Sequence, residues 1–295
     1  MKHEEDIKLE LGRLPKTLQQ SYEVIYRGIL EIAQASQKLA IRTMQVLLCA
    51  QRRLTPAEML AAVTVDSLSG NALVSAGDDI LDACCNLVFL DEEVDSFRFA
   101  HLSVREYLEG RSDYASNITH VSLMDRCLFV FLCESGDIVP SSSHLQFVVQ
   151  QNNTFHRYAT TYWPSHCQLG TAQVETSLNL ERFIGRNGVS SKAIEKWMSS
   201  CTVLQESKWA LDPDVEDKGI ELESYELRVS LALSITRPPS ILFVTCIYGL
   251  GPIIRYLLPR EGIDWNQSKF HERDWWTPLG FAAERGLSVG LKGLD

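Results

Sequence analysis

The stretch from Thr55 to Leu108 limits the fold more than any other part of this chain, because it spells out an order of elements. Thr55-Pro-Ala-Glu58 is a helix start: threonine caps free N–H groups, proline suits the first helical position, and Glu58 reaches back to the cap. That helix runs to about Val63 and closes in the Ser/Gly/Asn-rich segment 66–71. Another begins near Gly77 and carries Ile80, Leu81, Cys84 and Cys85. Leu87-Val-Phe-Leu90 and Ser96-Phe-Arg-Phe99 then read as two short strands joined by the acidic turn Asp91-Glu-Glu-Val-Asp95. Upstream, Ile41, Met44, Leu47 and Leu48 mark the apolar side of a further helix. Three helices followed by a hairpin is the order of a winged helix, here placed at 38–112. Ser103-Val-Arg-Glu106 repeats the capping pattern and predicts one more helix directly after the second strand.

The rest of the chain also reads as mainly α. Leu18, Tyr22, Ile25, Ile29 and Ile32 give residues 16–35 one apolar face, so 1–37 is expected to be a helical linker. Region 113–236 predicts helices only: one through Leu123–Leu132, one from Leu145 to about Trp163 stopped near Pro164, and shorter ones at Leu178–Ile184, Ala193–Met198 and Leu222–Leu233. Asp212–Gly219 reads as a solvated loop. The tail, 237–295, is self-similar. Ser240–Gly249 and Thr277–Gly286 align without gaps, and each is followed by an apolar segment, Pro252–Leu258 and Leu287–Leu291. A helix–turn–helix repeat of about 33 residues with a small insertion fits that spacing. These residues resemble ankyrin repeats: Thr277-Pro278-Leu279 matches the turn and helix start, Ala282 and Ala283 the small stacking residues, and Gly286 the inter-helix turn. Gly280 stands where the family usually has histidine. About two repeats are expected, the last incomplete.

Charge and composition exclude several functions. A formal charge of −10 argues against a dedicated nucleic-acid or anionic-membrane binder. The expected third helix begins Gly77-Asp-Asp-Ile-Leu-Asp82 without a basic residue, and the wing carries Asp91, Glu92, Glu93 and Asp95. Carboxylates there repel phosphates, and Arg52-Arg53 alone is too small a basic footprint. No apolar run is long enough to span a membrane, and MKHEEDIKLELGRLPK lacks the apolar core of a signal peptide. The eight cysteines form no C-x-x-C pair and mostly sit in apolar runs, as free thiols in a reducing, cytoplasmic setting would. His156, His166 and Cys167, or Cys127 and Cys133, match no ordinary zinc spacing and read as core, so no metal site is expected. With no G-x-S-x-G elbow, no catalytic residue is assigned.

Several segments together resemble the part of fungal NACHT-class signal-transducing NTPases that follows the nucleotide-binding core. They are Leu14-Pro-Lys-Thr-Leu18 with Tyr22 and Ile25; Leu47-Leu-Cys-Ala with Arg53-Leu-Thr-Pro-Ala-Glu58; Ile80 through Asp91; Phe97-Arg-Phe-Ala-His-Leu-Ser-Val-Arg-Glu-Tyr-Leu108; and Tyr158-Ala-Thr-Thr-Tyr-Trp-Pro-Ser-His166. Such proteins often carry C-terminal ankyrin arrays. The resemblance implies a switch that exchanges or hydrolyses a nucleoside triphosphate upstream of this region. No G-x-x-x-x-G-K-[ST] loop occurs in the chain, so no nucleotide turnover and no cofactor are expected of it alone.

In related switch ATPases a winged-helix histidine touches the phosphate of bound ADP, and His101 stands at the matching position. It is thus a candidate phosphate sensor, operating only with a partner NTPase domain. The competing role is local: His101 fixing the strand–helix corner by bonding a backbone carbonyl. Trp275 and Trp276, expected in a repeat loop, are candidate protein-binding residues. The expected function is a non-catalytic regulatory and protein-interaction region, with a NACHT NTPase core among its candidate partners. The alternative is a stand-alone ankyrin/helical scaffold that binds a protein without nucleotide.

Overall fold

A computed structural model describes residues 17–67, 72–73, 77–170, 177–185, 191–209, 230–235, 240–257, 269–271, 274–278 and 280. It is mainly helical. In chain order the elements are α1 (Leu18–Glu31), α2 (Gln34–Cys49), α3 (Pro56–Thr64), α4 (Gly77–Ala83), β1 (Val88–Asp91), β2 (Ser96–Phe99), α5 (Leu102–Glu109), α6 (Ser116–Ser135), α7 (Leu145–Leu169), α8 (Leu178–Ile184), α9 (Lys192–Trp209), α10 (Ile241–Tyr248), α11 (Gly251–Leu257), β3 (Lys269–His271) and β4 (Asp274–Trp276).

Local signals explain most of the starts and stops. The Thr55 hydroxyl accepts from Glu58 N at 3.2 Å while the Glu58 carboxylate accepts from Thr55 N at 3.1 Å, a complete capping box at α3. Arg52 grips the same carboxylate with two bonds of 2.6 and 2.8 Å. Strands β1 and β2 pair antiparallel from Val88↔Phe99 to Asp91↔Ser96. The tight turn between them puts Asp95 at φ 45°, and Asp91 accepts the N–H groups of Glu93 and Val94. Helix α6 stops at Gly136, whose φ of 81° needs no Cβ relief.

Helices α6 and α7 form the hub. His120 meets His166 and Glu134 meets His156, so the two run antiparallel. Helices α2, α3, α8 and α9 all pack on this pair, and α10 and α11 reach α7. One connected set of buried side chains extends from Tyr26 to Leu257. Arg126 pins three helices from within it: its buried guanidinium donates at 3.0 and 3.1 Å to the carbonyl of Ala61, in the last turn of α3, and at 2.9 Å to Asn152 of α7. The Ala61 carbonyl is among those a helix end leaves without an internal donor, and Arg126 supplies one.

Several expectations need correction. Helix α7 does not stop near Pro164; it continues to Leu169 with the proline inside. Pro164 has no N–H, so the carbonyl of Thr160 loses its helical donor. The indole Nε1–H of Trp197 in α9 replaces it at 2.9 Å, in the buried interior. Helix α9 is longer than Ala193–Met198, running from Lys192 to Trp209. Cys84 and Cys85 fall just beyond α4 rather than inside it. Trp275 and Trp276 are not in a loop: they belong to β4, paired with Phe270 and Lys269 of β3, a two-strand ladder that a loop-based reading of the insertion missed. Helices α10 and α11 form a helix–turn–helix around Gly249 at φ 63°. Thr277 Oγ1 accepts from Gly280 N at 3.0 Å, where the second helix pair was expected to start. The Asp212–Gly219 loop, most of Leu222–Leu233, and Ala282, Ala283 and Gly286 lie outside the described residues.

Candidate functional site

Strand β2 ends at Phe99, and Ala100 N still donates to the Leu87 carbonyl at 3.0 Å, carrying the ladder to the doorstep of His101. His101 itself is extended (φ −154°, ψ 153°) and is the N-cap of α5. The sequence pattern assigned that role to Ser103. Instead the His101 ring substitutes for a hydroxyl: its Nδ1 accepts the Ser103 N–H at 3.1 Å and lies 2.7 Å from the Ser103 hydroxyl. That hydroxyl meets the Tyr22 hydroxyl of α1 at 2.7 Å, which fastens the corner to the N-terminal helix. The expected bond from His101 to a backbone carbonyl is therefore replaced by one accepted from a backbone N–H. With Nδ1 accepting, the neutral ring carries its proton on Nε2, on the far edge from the corner.

His101 lines a cleft of about 400 Å³ whose wall includes Arg52, Arg53, Arg98 and Arg105. Arg52 and Arg53 come from the α2–α3 connection, Arg98 from β2 and Arg105 from α5. Four arginines thus line one cleft in a chain whose formal charge is −10. Three of them also hold carboxylates: Arg52 with Glu58, Arg98 with Asp91 at 2.6 Å, and Arg105 with Glu109 at 2.7 Å. The Arg98 hydrogen bond keeps the Asp91 carboxyl below its ordinary range. Apolar side chains, including Leu47, Leu54, Met59 and Leu102, complete the walls. An oxyanion placed there would share the guanidinium groups of Arg52, Arg98 and Arg105 with the carboxylates they already hold, on a partly apolar floor. The acidic residues Asp78, Asp79, Glu92, Glu93 and Asp95 are exposed on α4 and the hairpin turn.

A second polar assembly docks α1. Arg111 lies over the Tyr26 ring, 4.1 Å from its centroid, and bonds Glu23 and Asp113. Tyr107 donates to Glu23 at 2.7 Å and Tyr26 to Asp113 at 2.9 Å.

The histidines and cysteines that the sequence weighs against zinc spacings and reads as core lie in different surroundings. His156 bonds the Ser200 hydroxyl at 3.1 Å and lies 3.2 Å from Glu134, while Cys127 and Cys167 are buried. His166 takes other company. Its Nδ1 is 2.8 Å from Nδ1 of His120, its Nε2 is 2.9 Å from the Tyr158 hydroxyl, and Cys49 completes a buried trio. Sequence reasoning missed this group because its members sit on three helices, 46 residues or more apart. It likewise missed the cleft arginines, which are scattered between 52 and 105. Trp275 and Trp276 are placed by their backbone in β4, with their side chains outside the described residues. Among the described residues no helix is long and apolar enough to cross a membrane. No family model, curated protein or solved structure matches the chain.

Proposed function

We propose that this chain is the non-catalytic regulatory and protein-interaction part of a NACHT-like switch protein. In this reading residues 38–112 act as a winged-helix unit that offers His101 to the phosphate of a nucleotide held by a separate NTPase core. Residues 237–295 supply an ankyrin-type surface for a protein partner, with Trp275 and Trp276 in its insertion. The observation that carries the proposal is the His101 corner. The cap bond occupies Nδ1 and holds the ring, which leaves Nε2–H as a positioned donor beside an arginine-lined cleft. Phosphate bound by the core would complete that cleft. Nucleotide state would then control whether this region stays docked and its repeat surface covered.

The test mixes the purified chain with a NACHT core from the same genome and titrates ADP by calorimetry. Association that tightens with ADP and weakens at least about tenfold in His101→Ala is the expected result, one charge-assisted hydrogen bond being worth roughly 1.5–3 kcal/mol. His101→Asn separates cap from sensor: asparagine keeps an N-cap acceptor for Ser103 N–H but lacks the reach of the imidazole edge. No association, or association indifferent to both ADP and His101→Ala, sinks the proposal. One observation favours the stand-alone scaffold instead: Arg52, Arg98 and Arg105 already have carboxylate partners within the chain. Under that reading His101 is a cap only, and a protein partner binds without nucleotide.

A further inference from the structure

We propose that Cys49, His120 and His166 form a binding site for a thiophilic metal ion of the Zn²⁺ class. Cys49 is the last residue of α2, His120 lies in the second turn of α6 and His166 in the last turn of α7, so one ion would tie the three helices at a single point. All three are buried, and their ligand atoms lie within 4.8 Å of one another. Nitrogen and thiolate sulfur are the donors that zinc takes up.

The geometry between the two imidazoles points the same way. They face each other through the same atom, Nδ1, at 2.8 Å. Without an ion, one ring must carry its proton on Nδ1 and the other must not. An ion removes that asymmetry, since both Nδ1 lone pairs turn to it and both protons sit on Nε2. For His166 that proton has a receiver in place, the Tyr158 hydroxyl at 2.9 Å, which also accepts Gln51 N–H at 3.0 Å. A hydrogen-bonded outer nitrogen is what metal-bound histidines use to fix their orientation.

Coordination requires small changes. Zinc–nitrogen bonds of about 2.0–2.1 Å in a tetrahedron set two nitrogens roughly 3.3 Å apart, so the rings part by about half an ångström. The Cys49 thiol now donates to the Thr119 carbonyl at 3.5 Å. Metal binding replaces its S–H bond with an S–metal bond and releases the proton to solvent. Thr119, which the Cys49 thiol bonds, also lines a neighbouring cavity of about 310 Å³. The site ends where the cleft wall begins: two and three residues after Cys49 come Gln51, which bonds Tyr158, and Arg52, which stacks 5.2 Å from the centre of the Tyr158 ring.

Co²⁺, a spectroscopic stand-in for Zn²⁺, is titrated into the full chain under reducing, anaerobic conditions after chelation, and Zn²⁺ affinity is then read by competition. The site predicts one equivalent of Co²⁺ with a sulfur-to-cobalt charge-transfer band, displaced by Zn²⁺. Cys49→Ala, which retains the other seven cysteines, should abolish the band while circular dichroism shows the fold retained. Tyr158→Phe, nearly isosteric, should weaken Zn²⁺ binding about 10–100-fold through the lost outer bond. No band and no saturable Zn²⁺ uptake, or a band undiminished in Cys49→Ala, overturns the proposal.

Discussion

The bond between Trp197 and the Thr160 carbonyl makes a prediction that depends on two distant residues at once. Pro164 deprives Thr160 of its helical donor, and the Trp197 indole restores it at 2.9 Å in a region closed to water. Trp197→Phe removes the donor and leaves a buried carbonyl unpaired, at about 1–3 kcal/mol. Exchanging indole for phenyl also leaves a void of roughly 40 Å³, worth about 1 kcal/mol at roughly 24 cal/mol per Å³. The single change should therefore destabilise by about 2–4 kcal/mol. Pro164→Ala supplies a backbone N–H that can bond Thr160 as in any helix, so in that background Trp197→Phe should cost only the void. The two substitutions are expected to couple by about 1–3 kcal/mol, within the range for residues sharing one partner. Urea unfolding of the parent, both single variants and the double variant, followed by far-ultraviolet circular dichroism, measures this coupling. If Trp197→Phe costs the same in both backgrounds to within about 0.5 kcal/mol, the account of how α7 passes its proline is wrong.

Two carboxylates should give the fold opposite pH dependences. Burial alone would raise Glu58, but the Arg52 hydrogen bonds prevail and hold it below its ordinary 4.5, so its stabilising contribution is present above that value and is lost as pH falls through the lowered one. Glu58→Gln keeps the capping geometry and removes the charge; it should cost about 1.5–3 kcal/mol near neutrality and flatten the acid limb of a stability–pH curve, and an unchanged limb would refute the role. Asp125 behaves in the reverse sense: burial lifts it from 3.8 to about 6, only partly opposed by the Ser177 hydroxyl, so stability is complete below about 4 and declines as pH rises through 6. Asp125→Asn should be more stable than the parent at pH 8 by up to about 3 kcal/mol, a pKa unit being worth 1.36 kcal/mol, and less so at pH 5; thermal melts at the two pH values decide, and an equal difference at both would refute it.

What could be read from the residues alone was whatever is settled within a few positions. Thr55 and Glu58 are three apart, and their capping box forms as the pattern says, because both partners lie on the first turn. The hairpin from Val88 to Phe99 follows from an acidic turn between two β-prone runs. Leu178–Ile184 is recognisable because its apolar residues and its Ser177 cap are local. The misreadings arose where a distant group outvoted a local rule. Pro164 ends a helix in isolation, yet α7 passes it because Trp197 supplies the missing bond. Ser103 is the better cap by residue type, yet the end of β2 delivers the His101 ring, which caps the helix by accepting the N–H of Ser103 itself. The cleft arginines come together only once the α2–α3 connection, β2 and α5 have packed, and the buried Cys49–His120–His166 group only once α2, α6 and α7 have. Sequence thus determined the helical class, the hairpin and the place of His101 at a strand–helix corner, since capping, turns and periodicity act over one or two turns of chain. Tertiary structure alone decided which charges share a cleft and which buried donors face one another, because those distances are set by helix packing and have no counterpart in residue spacing.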